Sequence, residues 1–274
     1  MRAAIDARFL DGPRGKLFGL LRKPQGRAGG PCVLIVPPFA EELNKSRRTF
    51  TEVSLALAER GVASLLPDLH GTGDSAGEFR DADWQVWKDE LRHAAEWASS
   101  EGWGITSMLG MRLGCPLAAE VAASLSSPLE RCVFWQPVLD GERFITQLLR
   151  LRVAASMMAD QKESVTDLRK RFSSGETLEV AGYEISPTLI AAIDRVRLAE
   201  SLSERLGRVH WMEIVRDAQS PMSPASERFL KNTLEKMPTL TSEIVCGEPF
   251  WTTTEIVTLP DLVSRTAEHL ARPA

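Results

Sequence analysis

The chain of 274 residues is 43% hydrophobic and 26% charged, with a formal net charge of −4, which is the composition of a folded protein with room for one large core. Basic residues are interspersed with acidic ones rather than gathered into a stripe, which excludes a nucleic-acid partner from the expectations. No apolar run approaches a membrane span, and the acids in the first twelve residues, MRAAIDARFLDG, break the apolar stretch that a secretory leader needs, so the expected location is cytoplasmic.

Ile5–Leu10 and Leu17–Leu21 flank the turn-forming Asp11-Gly12-Pro13 and predict an opening antiparallel hairpin. Cys32–Pro37 is continuously apolar, as a strand covered on both faces should be. From there strands and helices alternate. A helix is predicted over Arg47–Arg60, a strand over Val62–Leu66, a helix over Trp84–Ser99, a strand over Ile105–Gly110, a helix over Leu113–Leu125 and a strand over Cys132–Trp135. This alternation predicts a parallel sheet with crossover helices. It pauses over Gly141–Ser203, a mostly helical stretch with a possible short hairpin in Thr177–Ile185, too long for an ordinary βα loop. The pattern resumes with a strand at Val209–Val215, a helix from Pro224 to Lys236, a strand at Thr239–Val245 and a helix from Leu262 to Ala271. The reading is an α/β core over 1–140 and 204–274 with a cap inserted at 141–203. Cys32, Cys115, Cys132 and Cys246 stand singly, without metal-ligand spacing, and read as buried reduced thiols.

The turn after the fifth predicted strand, Gly110-Met111-Arg112-Leu113-Gly114, has the strand, sharp turn and helix context of a nucleophile elbow, in which small residues flank a side chain forced out over the sheet. The central residue is Arg112, which stays protonated and cannot attack a carbonyl. Asp68-Leu69-His70-Gly71-Thr72-Gly73-Asp74-Ser75 looks like the D-x-x-G-x-G-x-S loop of many α/β hydrolases. Together with the element order, these residues give the chain a resemblance to the α/β-hydrolase superfamily. More narrowly, Pro37–Arg48, the Gly-x-Arg-Leu-Gly turn, Trp135–Gly141 and Gly247–Trp251 resemble the exosortase A system-associated hydrolases of type 2. The resemblance implies an eight-stranded, mostly parallel sheet, a cap after the sixth strand, and an ester, thioester or related acyl substrate linked to exopolysaccharide or surface-protein processing in exosortase systems.

A triad in this fold needs nucleophile, acid and base in that chain order. Asp217 fills the acid position, but the segment after the last strand, Gly247-Glu-Pro-Phe-Trp-Thr-Thr253, has no histidine. His70 is the one histidine expected near the carboxyl ends of the strands; His93, His210 and His269 fall within predicted elements and read as structural. Cys115 reads as core and Ser75 as a turn hydroxyl bonded to backbone. Arg112 beside the loop that carries Glu41, Glu42, Asn44, Arg47 and Arg48 is expected to pair with one of the two glutamates, either as a polar plug or as part of a ligand site. Gln136, Asp140, Asp217 and Trp251 follow strand ends and would complete the rim, and Met157 and Met158 could line an apolar wall. Two functions stay open: hydrolysis through a water activated by Glu41, Glu42 or His70 with Arg112 stabilising negative charge, or a pseudo-hydrolase that binds an anionic or acyl ligand or a protein partner. No dinucleotide or phosphate loop occurs, so no cofactor is expected, and no metal set is read from the sequence.

Overall fold

The computed structural model describes residues 3–158, 163–217 and 219–271. The side chains of 157 and 158, and with them the expectation for Met157 and Met158, lie outside the described set. In chain order the elements are β1 (Ala3–Gly12), β2 (Gly15–Pro24), β3 (Gly30–Val36), α1 (Glu41–Glu59), β4 (Ala63–Pro67), α2 (Trp84–Ser100), β5 (Trp103–Met111), α3 (Gly114–Ala122) and β6 (Arg131–Trp135). Then come α4 (Gly141–Met158), α5 (Val165–Ser173), the hairpin β7 (Leu178–Val180) and β8 (Tyr183–Ile185), α6 (Pro187–Asp194) and α7 (Leu198–Ser201). The chain closes with β9 (Arg208–Val215), α8 (Pro224–Leu234), β10 (Leu240–Cys246) and α9 (Pro260–Ala271).

Eight strands form one sheet in the order β1-β2-β4-β3-β5-β6-β9-β10. The β1–β2 and β2–β4 pairs are antiparallel, whereas every pair from β4 to β10 is parallel. The central strands are apolar throughout because both faces are covered. In β3, Leu34 joins the core beneath α2 and α3, while Val33 and Ile35 join the opposite core beneath α1 and α9; Met108 and Leu109 of β5, and Phe134 and Trp135 of β6, divide in the same way.

Helix α1 starts six residues before the predicted Arg47. The sequence signal was missing because Ala40, at φ 52°, offers no side-chain cap. Instead Glu41 and Glu42 occupy the first turn, where free amides and the positive end of the helix dipole favour carboxylates. The earlier start carries both glutamates to the carboxyl edge of the sheet, next to the end of β5.

The Asp68–Ser75 loop folds on itself. Asp68 accepts from the Asp74 amide at 3.0 Å and from Arg47 Nη2 at 2.9 Å, and the Ser75 hydroxyl donates to the Asp68 carbonyl while accepting from the Phe18 amide at 2.8 Å. The Ser75 hydroxyl therefore serves the turn, as the sequence reading expected.

Candidate functional site

The site begins at the turn between β5 and α3. Arg112 has φ 53°, a left-handed conformation that an arginine adopts only under constraint. The constraint is tight packing on both sides. A Cβ on Gly114 would sit 2.4 Å from the Val36 carbonyl oxygen, and one on Gly110 would sit 2.9 Å from the Cys115 Cα, so only glycine lets α3 leave the strand so abruptly. The Arg112 amide donates to the Trp135 carbonyl at 2.9 Å and the Val138 amide donates to the Arg112 carbonyl at 3.2 Å, which ties the turn to the end of β6.

The turn sends the Arg112 side chain into a cavity of about 390 Å³, lined among others by Phe39, Glu41, Glu42, Lys45, Leu148, Tyr183 and Trp251. Its Cζ lies 5.5 Å from the Trp251 ring centroid and 5.9 Å from that of Phe144, within cation–π reach of both. Arg112 Nε donates to Glu42 Oε1 at 3.0 Å. The two side chains are 19% and 18% exposed, so the pair is largely but not wholly withdrawn from water. Among the described residues only Nε of this guanidinium is engaged, which leaves the Nη1/Nη2 fork unbonded. Glu42 Oε2 is buried and has no hydrogen-bond partner. Burial pushes the Glu42 carboxyl above its ordinary range, against the pull of the adjacent guanidinium.

Glu41 does not share that role. It accepts from Asn44 Nδ2 at 3.0 Å and from the Tyr183 hydroxyl at 3.3 Å, and Asn44 also donates to the Tyr183 oxygen at 2.9 Å. The β7–β8 hairpin is thus fastened to the first turn of α1, and Arg80 adds a 3.0 Å ion pair to Glu184 of the same hairpin. Replacing Tyr183 with Phe should lower stability by no more than about 1 kcal/mol, because the group sits at a partly wet rim. The informative readout is proteolysis between α4 and β8, which should quicken if the hydroxyl holds the hairpin down.

No family model matches the sequence, and no curated protein matches it. Solved structures do match. Est1E from Butyrivibrio proteoclasticus, described with bound ferulic acid, superposes with a TM-score of 0.65 at 17% identity over 97% of this chain and 100% of that one. The Pyrococcus furiosus esterase PF2001 gives 0.60 at 14% identity, over 98% and 90%. XC6422 from Xanthomonas campestris, described as an α/β serine hydrolase without a lid, gives 0.57 at 17% identity, over 99% and 94%. The chain has the α/β-hydrolase fold. In that fold the turn after the fifth strand is the nucleophile elbow, and here it carries Arg112.

Five of the other residues expected at the site lie outside the cavity. His70 is buried away from the cavity; its amide donates to Glu90 Oε2 at 2.7 Å, and its ring lies against Gly77, where a Cβ would stand 2.2 Å from Nε2. Asp217 is exposed and closes a local turn by accepting from the Gln219 amide at 3.0 Å. Arg47 is spent on Asp68. Gln136 stitches β6 to β9, its Oε1 accepting from the Ile214 amide at 2.8 Å. Asp140 caps α4 through the Arg143 amide at 3.0 Å and pairs with Arg197 at 3.4 Å. These five residues are corrections to the expected site: His70, Gln136, Asp140 and Asp217 follow strand ends as supposed and Arg47 lies in the second turn of α1, but each bonds elsewhere and none lines the cavity. Asn44 reaches only the rim, whereas Glu41, Glu42, Arg112 and Trp251 line the cavity.

No serine, cysteine or histidine stands among the described cavity-lining residues. Cys115 is fully buried in α3 with its thiol directed to the Trp135 carbonyl at 3.7 Å, and burial holds that thiol protonated. Phe144, Lys45 and Tyr183 line the cavity without having been singled out in the sequence. Lys45 sits one turn after Glu41 in a helix whose start carried no cap signal. Tyr183, the only tyrosine of the chain, carries no motif at all.

Proposed function

We propose that this chain is a binding protein built on the hydrolase fold, with the cavity at the elbow taking a small acyl or aromatic compound that bears a carboxylate or another anionic group. The observation that carries this reading is the state of Arg112. One edge of its guanidinium is held by Glu42, the ring faces of Trp251 and Phe144 flank it, and the outward fork is left for a planar anion. Lys45 adds a second cation to the lining, and Leu148, Leu151 and Val180 supply an apolar wall for the body of the ligand. The segment 141–203 acts as the lid over this site. The sequence resemblance adds the setting: an acyl compound connected with exopolysaccharide or surface-protein processing, handled in the cytoplasm. No described helix is long and apolar enough to cross a membrane.

The test is paired. Short activated esters should be turned over no faster than by buffer, and a serine-directed phosphonate should leave the protein unlabelled, because no serine, cysteine or histidine stands among the described residues that line the cavity. In calorimetry the carboxylates octanoate and phenylpropanoate should bind more tightly than their methyl esters. Brisk, phosphonate-sensitive ester turnover would overturn the reading, and so would equal binding of acid and ester.

One observation favours a second reading, hydrolysis by an activated water. The Glu42 carboxyl has its affinity for protons raised by burial, and one of its oxygens lacks a partner, as suits a general base beside a cation that could stabilise an oxyanion. Turnover that survives phosphonate but is abolished by Glu42→Gln would select it over simple binding.

A further inference from the structure

Far from the elbow, three side chains converge near the amino-terminal half of the last two strands. His210 is the third residue of β9, Glu243 lies on its neighbour β10, and His269 comes from the last turn of α9. Each presents one atom able to ligate a metal, and these atoms all lie within 4.8 Å of one another. His210 Nε2 stands 2.9 Å from Glu243 Oε1, and His269 Nε2 stands 3.6 Å from the same oxygen. A tetrahedral ion with bonds of about 2.0 to 2.2 Å separates its donors by about 3.3 to 3.6 Å, so the His269 spacing already meets the requirement and the His210 spacing has to widen slightly.

The surroundings resemble the outer partners that orient metal ligands. His210 Nδ1 is 2.7 Å from Thr241 Oγ1, which fixes the ring and directs Nε2 toward the carboxylate. Arg265 Nη1 donates to Glu243 Oε2 at 2.8 Å, which anchors that oxygen and turns Oε1 toward the two rings. His210 is nearly buried, whereas Glu243 and His269 are about a quarter exposed, so the cluster has an entry path. The two rings are stacked, with centroids 3.5 Å apart and planes 19° from parallel. An ion shared by both needs the stack to open, which the His269 ring, about a quarter exposed, would do by turning on its side chain.

We propose that His210, Glu243 and His269 form a binding site for a divalent first-row transition ion, zinc foremost, with a water in the fourth position. Two imidazoles and one carboxylate suit zinc, and copper or nickel would also bind by their general affinity order. The ion would tie α9 to β9 and β10. None of the three residues lines the elbow cavity, so the site stands independently of the function proposed above.

The experiment uses the full chain freed of metal by chelator and dialysis. Zinc chloride is titrated against a chromophoric indicator, while histidine ring signals are followed by NMR. One zinc per chain should bind, the His210 and His269 signals should shift together, and Tm should rise. His269→Ala and Glu243→Gln, both partly exposed and therefore expected to fold, should each weaken zinc by at least about tenfold, whereas Cys246→Ser should leave it unchanged. Absence of zinc binding, binding unaltered in both ligand variants, or binding lost in Cys246→Ser would overturn the proposal.

Discussion

Replacing Arg112 with Met should cost roughly 2 to 3 kcal/mol at neutral pH, somewhat less than for a fully buried pair because both partners keep about a fifth of their side-chain exposure. The cost arises at Glu42. Without the guanidinium, its carboxylate is left in the cavity wall with one oxygen already lacking a partner. Burial already raises the Glu42 carboxyl, and loss of Arg112 removes the two influences that lower it. The folded variant therefore holds its proton to higher pH than the unfolded chain does. A raised carboxyl costs stability only where the unfolded chain would ionise, so the deficit should be full at neutral pH and shrink as the pH falls toward the ordinary glutamate range. Adding Glu42→Leu should recover most of the lost stability, because two apolar groups of similar bulk replace a pair whose desolvation is costly. Binding of carboxylate ligands should not recover. Denaturant unfolding of the wild type, both single variants and the double variant gives the coupling directly. Additive effects of the two substitutions would show that the contact contributes nothing to stability.

A second large effect is expected at Glu90 of α2. This side chain is almost fully buried, and burial raises its pKa from 4.5 to about 7, although it accepts the His70 amide. Nearby His70 is pushed the other way, burial lowering its affinity for protons. Between pH 4.5 and 7 the unfolded chain has released the Glu90 proton while the folded chain keeps it, so stability falls as pH rises through that window. The displacement corresponds to about 3 kcal/mol. Glu90→Gln keeps an acceptor for the His70 amide and carries no charge to desolvate. Its unfolding free energy should lose that component of pH dependence and exceed the wild type's most clearly at pH 8. Parallel pH profiles for the two proteins would refute the account.

Much of the architecture was legible along the chain because it is written in local pattern. Buried parallel strands need continuous apolar runs, crossover helices need apolar residues at helical spacing, and an abrupt strand-to-helix turn needs glycines where Gly110 and Gly114 stand. The small hairpin β7–β8 was visible for the same reason, as two short runs about Ala181-Gly182. Boundaries were less legible. Helix α1 begins at Glu41 without a capping side chain, so propensity alone placed it late and left both glutamates in a loop.

The site divides along the same line. The chain alone put an arginine at the elbow and left the segment after the last strand without a histidine, and both facts follow from residue identity and order. Tertiary packing decided the rest. Glu42 rather than Glu41 faces Arg112, since the first turn of α1 directs one toward the cavity wall and the other toward Tyr183. His70, Gln136, Asp140 and Asp217 were grouped only by their places after strand ends and Arg47 by its place in the acidic segment, and each found another partner once the chain closed. His210 and His269 read as structural from their elements, and only the fold brings them to one carboxylate of a third element. Sequence order fixes which residues can reach the carboxyl edge of the sheet. Which of them face one another is set by side-chain directions on elements far apart in the chain, and no local pattern encodes that.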